Sequence, residues 1–169
     1  HLTNVVEAGA VLVYFGSTDA SERAVPDIVF EGVDAHDRVG VSVAGDFDFN
    51  GDGRRDIVIG AEQVDRTTDP DNPTPTGTGK VYLIFFNPND TVHYPNIGNP
   101  AVPDTVSLAL VGQPGGVPGV VFTGAAFGDQ AGFSVGGGGT STASAGTDIV
   151  IGAPGADPGS RTDAGAVYV

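Results

Sequence analysis

Gly40-Val41-Ser42-Val43-Ala44-Gly45-Asp46-Phe47-Asp48-Phe49-Asn50-Gly51-Asp52-Gly53-Arg54-Arg55-Asp56-Ile57-Val58-Ile59-Gly60-Ala61 sets two apolar runs around a centre of spaced acids. The flanks are rich in β-branched residues and bounded by glycine, the signature of short strands. Between them Asp48, Asn50 and Asp52 alternate, with Gly53 at the sixth place and Asp56 at the ninth. A hard Ca²⁺ takes about six to eight oxygens at about 2.3–2.6 Å, and alternate residues of a tight loop can aim their side-chain oxygens at one point. The spacing therefore predicts a calcium loop: Asp48, Asn50, Asp52 and Asp56 bind through side chains and Arg54 through its backbone carbonyl, while Gly53 permits the sharp turn. Asp46 is open to three readings: a further ligand, an outer-shell partner or a solvated acid.

A helix-flanked version of this loop would need Glu at the twelfth place, which holds Ile59. The strand-like flanks instead predict a hairpin connection organised by metal. The loop has neither Cys nor His, which disfavours softer ions. Without a cation, two carboxylates ~4 Å apart repel by about 4 kcal/mol at an effective dielectric near 20, so the empty loop is expected to be open.

Self-similarity extends the argument to the whole chain. Gly40-Val41-Ser42-Val43 recurs as Gly132-Phe133-Ser134-Val135, and Asp56 to Ala61 recurs as Asp148 to Ala153, both at an offset of 92 residues. A third element appears as Ala8 to Phe15, Thr78 to Phe85 and Ala164 to Val169. A fourth is read at Asp27 to Gly32 and at Val106 to Gly112. Four strands per unit in tandem predict an all-β fold of β-propeller blades, each of four antiparallel strands, with a β-sandwich as the alternative. The chain then holds a partial propeller of about two to three blades. Residues 1–32 end one blade, 33–112 form a complete blade with the calcium loop, and 113–169 form most of another. It begins and ends inside a repeat. The connections Glu62 to Thr78, Asn87 to Asp104 and Gln113 to Gln130 read as surface loops, the first with a Thr/Pro bias shared by O-glycosylated segments.

The second repeat is an internal control. Asp48, Asn50 and Asp52 correspond there to Thr140, Thr142 and Ser144, while Asp56 is retained as Asp148. Neutral hydroxyls bind calcium feebly, so the same hairpin is expected there without metal.

Composition narrows the function. A net charge of -14 repels phosphate backbones and anionic membranes, so nucleic acid and membrane insertion are disfavoured. Such acidity suits cation binding, a high-salt habitat or simply a solvated surface. With no cysteines there are no disulfides, and calcium can serve an exported protein as its staple instead. No apolar run approaches the ~20 residues of a membrane helix. Each of His1, His36 and His93 reads as a surface residue and not a general base, no Ser stands in a nucleophile elbow, and Gly136 to Gly139 lacks the Lys and helix of a phosphate cradle. Asn89-Asp90-Thr91 is an N-glycosylation sequon.

The segments Asp37 to Ala61 and Gly128 to Pro154, each followed by a Gly-x-Val-Tyr strand, resemble the FG-GAP repeat of integrin α-subunit propellers and of many secreted bacterial proteins. Val39 and Ala131 replace the Phe of the family's Phe-Gly pair, and Glu62 replaces the Pro of Gly-Ala-Pro. These changes are read as leaving small or apolar residues where packing needs them. The resemblance implies a calcium-stabilised propeller, with the ion carried by Asp48, Asn50, Asp52, the Arg54 carbonyl and Asp56. It also implies a location outside the cell or on its surface.

Fold does not fix function. The first expectation is a non-catalytic, calcium-binding extracellular module for adhesion, protein–protein interaction or extracellular assembly. Its partner would be a protein, further copies of the chain or the remainder of the propeller. Two alternatives are an accessory propeller of a secreted hydrolase and a subunit of an extracellular filament completed by strand pairing between copies.

Overall fold

The computed structural model describes residues 7–16, 25–65, 74–75, 77–97, 99, 101–139 and 146–169. His1, most of the Thr/Pro stretch and the positions Thr140, Thr142 and Ser144 lie outside them. Twelve strands are present among the described residues: β1 (Ala10–Val13), β2 (Ile28–Glu31), β3 (Val39–Phe47), β4 (Asp56–Ala61), β5 (Val64–Asp65), β6 (Thr74–Pro75), β7 (Lys80–Ile84), β8 (Asp104–Ser107), β9 (Gly119–Thr123), β10 (Ser134–Gly137), β11 (Ile149–Ala153) and β12 (Ala166–Tyr168). The only helical pieces among these residues are two 3-10 turns, Leu108–Leu110 and Pro158–Ser160.

The chain is all-β, as expected, and builds three successive sheets of a partial propeller. The central one is four-stranded and antiparallel, in the order β3-β4-β7-β9. Before it comes β1-β2-β8 and after it β10-β11-β12, while β5 and β6 form a two-stranded ladder in the connection after β4. The fourth strand of the central sheet corrects the sequence reading. It is not Val106–Gly112: Asp104–Ser107 leaves this sheet and pairs in parallel with β2, against the all-antiparallel expectation. The true fourth strand, Gly119–Thr123, lies inside the expected surface loop and beyond the expected blade end at residue 112. A signal for it was present, since Ile28-Val29-Phe30-Glu31-Gly32 matches Val120-Val121-Phe122-Thr123-Gly124 at the same offset of 92.

The repeat is visible in hydrogen bonds as well as residues. Parallel bridges Gly9↔Val39 and Gly79↔Ala131 tie each sheet to the start of the next. Asp37 accepts from the Asp34 amide at 3.0 Å, and Asp129 from the Ala126 amide at 2.9 Å. Their own carbonyls accept from Gln63 and Gly155, at 3.3 and 3.2 Å. Both carboxylates are buried, so each organises its turn from inside the protein.

Two apolar cores fill the seams between sheets. Alternation along the central strands decides which residue enters which. Ile59, Ala61, Tyr82 and Ile84 face the first sheet with Ile28, Phe30 and Val106. Val58, Val81 and Leu83 face the third sheet with Phe47, Ile149 and Ile151.

Tyr94 anchors the long β7–β9 connection into the first core, edge-on to Phe30 with ring centroids 6.4 Å apart. Its hydroxyl is buried without a hydrogen-bond partner. Replacing a buried unpartnered hydroxyl with hydrogen is neutral or stabilising, so Tyr94→Phe should hold or gain up to about 1–3 kcal/mol in urea unfolding. A loss above about 1 kcal/mol would refute this. Burial raises Tyr94 above its ordinary value of 10.0 and pushes Tyr82 up to about 12. Above pH 10 the unfolded chain therefore sheds these protons before the folded one, and stability falls as pH rises. That fall should be shallower in Tyr94→Phe.

Candidate metal centre

The loop between β3 and β4 joins Phe47 to Asp56, which pair across the hairpin. Strands stand on both sides, as the apolar flanks foretold. Asp48 organises the turn: one carboxylate oxygen accepts from the Gly51 and Asp52 amides at 2.7 and 3.1 Å, the other from the Gly53 amide at 2.8 Å. Asn50 Oδ1 accepts from the Asp52 amide at 3.0 Å, and Asp52 Oδ1 from the Arg54 amide at 2.8 Å. Asn and Asp side chains favour such bonds to the backbone two residues on, which is how this run of residues bends. Gly51 and Gly53 take φ of 76° and 81° to let it do so.

Asp56 is the distinctive member. It is 1 % exposed; its Oδ2 accepts from the Phe49 amide at 2.7 Å, and its Oδ1 is buried with no hydrogen-bond partner. Burial pushes its carboxyl above the ordinary carboxylate range against the pull of the Phe49 and Asn50 amides, and the charges of Asp52 and Asp48 push the same way. The Arg54 amide instead holds exposed Asp52 below that range. One loop thus gathers Asp48, Asn50, Asp52 and Asp56 around a common turn, with an orphaned oxygen at its buried end. Such an oxygen lacks the hydrogen bond that usually offsets burial, and a hard cation is a partner that suits it.

The fit has two limits. Among the described residues, no three His, Cys, Asp or Glu side chains already stand together as a metal cluster. Closing the site therefore requires the mutually repelling acids to draw inward around the ion. Asp46 does not join them: it is exposed, takes φ of 70°, and forms an ion pair with Arg55, whose Nη1 also donates to the Asp46 carbonyl at 3.0 Å.

Other candidate chemistry disperses. His93 is more covered than a surface reading allows, its Nδ1 2.5 Å from Asp90 Oδ2. His36 is likewise mostly covered, with Glu7 at 3.7 Å. Sequence reasoning missed the ion pair of Arg38 with Glu62, the latter 2 % exposed. The signal was the departure at Glu62: under the offset of 92, Arg38 becomes Gln130 as Glu62 becomes Pro154, so both members change together.

Among the described residues, no helix is long and apolar enough to cross a membrane. No curated protein matches the chain. The FG-GAP repeat model matches residues 39–84, from the first residue of β3 to the last of β7, with the acidic loop inside the match. The second copy of the motif, at Gly128 to Pro154, lies outside that match. FG-GAP repeats are in general non-catalytic interaction modules of β-propellers, mostly in extracellular proteins. Residues 39–84 are thus similar to an FG-GAP repeat, and they lie in the three-sheet frame of a partial β-propeller.

Proposed function

We propose that the chain is a calcium-binding, non-catalytic propeller module that works outside the cell or on its surface, in adhesion or extracellular assembly. The observation that carries the calcium reading is the buried, unpartnered Oδ1 of Asp56 at the base of a loop whose donors alternate at Asp48, Asn50 and Asp52. The ion would be held by those side chains, Asp56 and the Arg54 carbonyl. It would supply the positive charge that lets converging carboxylates share one turn.

Calcium at 100 times its Kd stabilises a one-site protein by about 2.7 kcal/mol. In a chain of this size that raises Tm by roughly 5–10 °C. Wild type should lose this increment in chelator, whereas Asp52→Ala should melt alike with and without calcium. Four coincident curves would sink the reading.

A protein partner is supported by the outer face of the third sheet. Val150, Val167 and Val169 are 40, 67 and 83 % exposed. Their counterparts Val58, Val81 and Leu83 in the central sheet are fully buried against the next sheet. A sheet of the same kind, in a longer chain or another copy, fits this surface.

A further inference from the structure

A single peptide unit joins the acidic loop to the neighbouring sheet. On one side of the peptide between Asp48 and Phe49, the Phe49 N–H donates to Asp56 Oδ2 at 2.7 Å. On the other, the Asp48 carbonyl accepts from the Thr147 N–H at 2.7 Å. In a trans peptide these two groups point in opposite directions, so this plane spans the gap between the two sheets' hairpins. Thr147 precedes β11, and the adjoining Gly146 lies so close that a Cβ there would stand 2.0 Å from the Phe49 carbonyl oxygen. On either side of Asp48, Phe47 and Phe49 reach into the core shared with the third sheet, and Phe49 stacks on Phe85 at 6.2 Å.

The geometry points to a calcium-operated lock on the seam between the second and third sheets, a role that rests on the metal reading above. Asp48 and Asp56 are both members of the proposed ligand set, and they grip the two ends of one rigid plane: Asp48 owns its carbonyl, and Asp56 holds its N–H. Drawing both carboxylates onto an ion fixes the orientation of that plane. The direction of the carbonyl offered to Thr147 is then fixed as well. Consecutive hydrogen bonds also polarise one another, so the chain from Asp56 through the peptide to Thr147 responds as a unit. The second repeat needs no ion of its own under this scheme, because its hairpin is held by the loop of the first.

Amide exchange of the full chain, read by NMR in calcium and in chelator, tests the lock, with a calorimetric calcium titration on the same sample. The Asp27 amide, which donates to the Val13 carbonyl at 2.8 Å in the first sheet, is the reference for global stabilisation. Calcium should slow exchange at Thr147 at least about fivefold more than at Asp27, within the usual range of coupling between sites. Asp52→Asn should lose both the binding heat and the extra protection at Thr147, while protection at Asp27 persists. Calcium heat with Thr147 moving no more than Asp27 overturns the lock and leaves the metal site standing. Absence of calcium heat overturns both.

Discussion

Gly79→Ala should destabilise the chain by about 2–5 kcal/mol, the largest loss expected from adding one methyl group. Two independent costs meet at this position. Its φ of 80° lies in the left-handed region, which costs an L-residue roughly 1–2 kcal/mol. Its Cβ would also stand 2.2 Å from the Ala131 carbonyl oxygen and 2.3 Å from the Ala131 nitrogen. These are backbone atoms of the bridge that starts the next repeat, so they cannot swing aside, and overpacking adds about 1–3 kcal/mol. Gly128 separates the two costs: its φ is 90°, yet nothing lies within 4 Å of the position of a Cβ. Gly128→Ala should therefore lose only the conformational part, about 1–2 kcal/mol. Urea unfolding of both variants decides the matter, and equal losses would show that the close approach at Gly79 is not a constraint.

Removing the guanidinium from Arg38 should cost about 2–4 kcal/mol, somewhat below the value for a fully buried pair because the Arg38 side chain is 33 % exposed. The loss arises on the other side of the pair. Glu62 is buried, and Arg38→Gln leaves its carboxylate there without the counter-charge of Arg38. The second repeat shows how the same place is arranged without ions, with Gln130 and Pro154 in equivalent positions. Arg38→Gln with Glu62→Pro should consequently recover most of what Arg38→Gln alone loses, with an interaction term of about 1–3 kcal/mol in a double-mutant cycle. Additive losses would mean that the two side chains do not depend on each other.

The hairpin carrying the acids was legible because its information is local. Alternating apolar residues, an Asn-Gly and an Asp-Gly, and acids at fixed spacing each constrain a few neighbouring residues, and the structure places β3 and β4 on either side of the loop. β9 was not legible in the same way. Gly119–Thr123 follows a Gly/Pro-rich run, whereas Val106–Gly112 offers apolar residues of its own. Only the partner strand decides between them: β7 pairs with β9 through five residues, while the backbone from Leu108 to Leu110 turns into a 3-10 helix. Glu62 failed for a related reason. A substitution judged by size at its own position looked harmless, but its charge depends on Arg38, which is distant in sequence. At the candidate site, residue identities were readable and burial was not. The orphaned oxygen of Asp56 follows from its burial, which is a property of the packed fold and not of its neighbours in sequence.

The parallel strand β8 changes how this protein can be made and divided. Ile28 in β2 pairs with Asp104, so the ribosome must deliver most of the next repeat before the first sheet acquires its outermost member. At about 5–20 residues per second the open side of β2 stays bare for roughly 4–15 s, long enough to invite pairing with another nascent chain. The repeats are also not interchangeable cassettes. Cutting at the apparent repeat boundary would take from one unit a strand that its successor lends it, so grafts and deletions should respect the loan and keep residues 28 to 107 together.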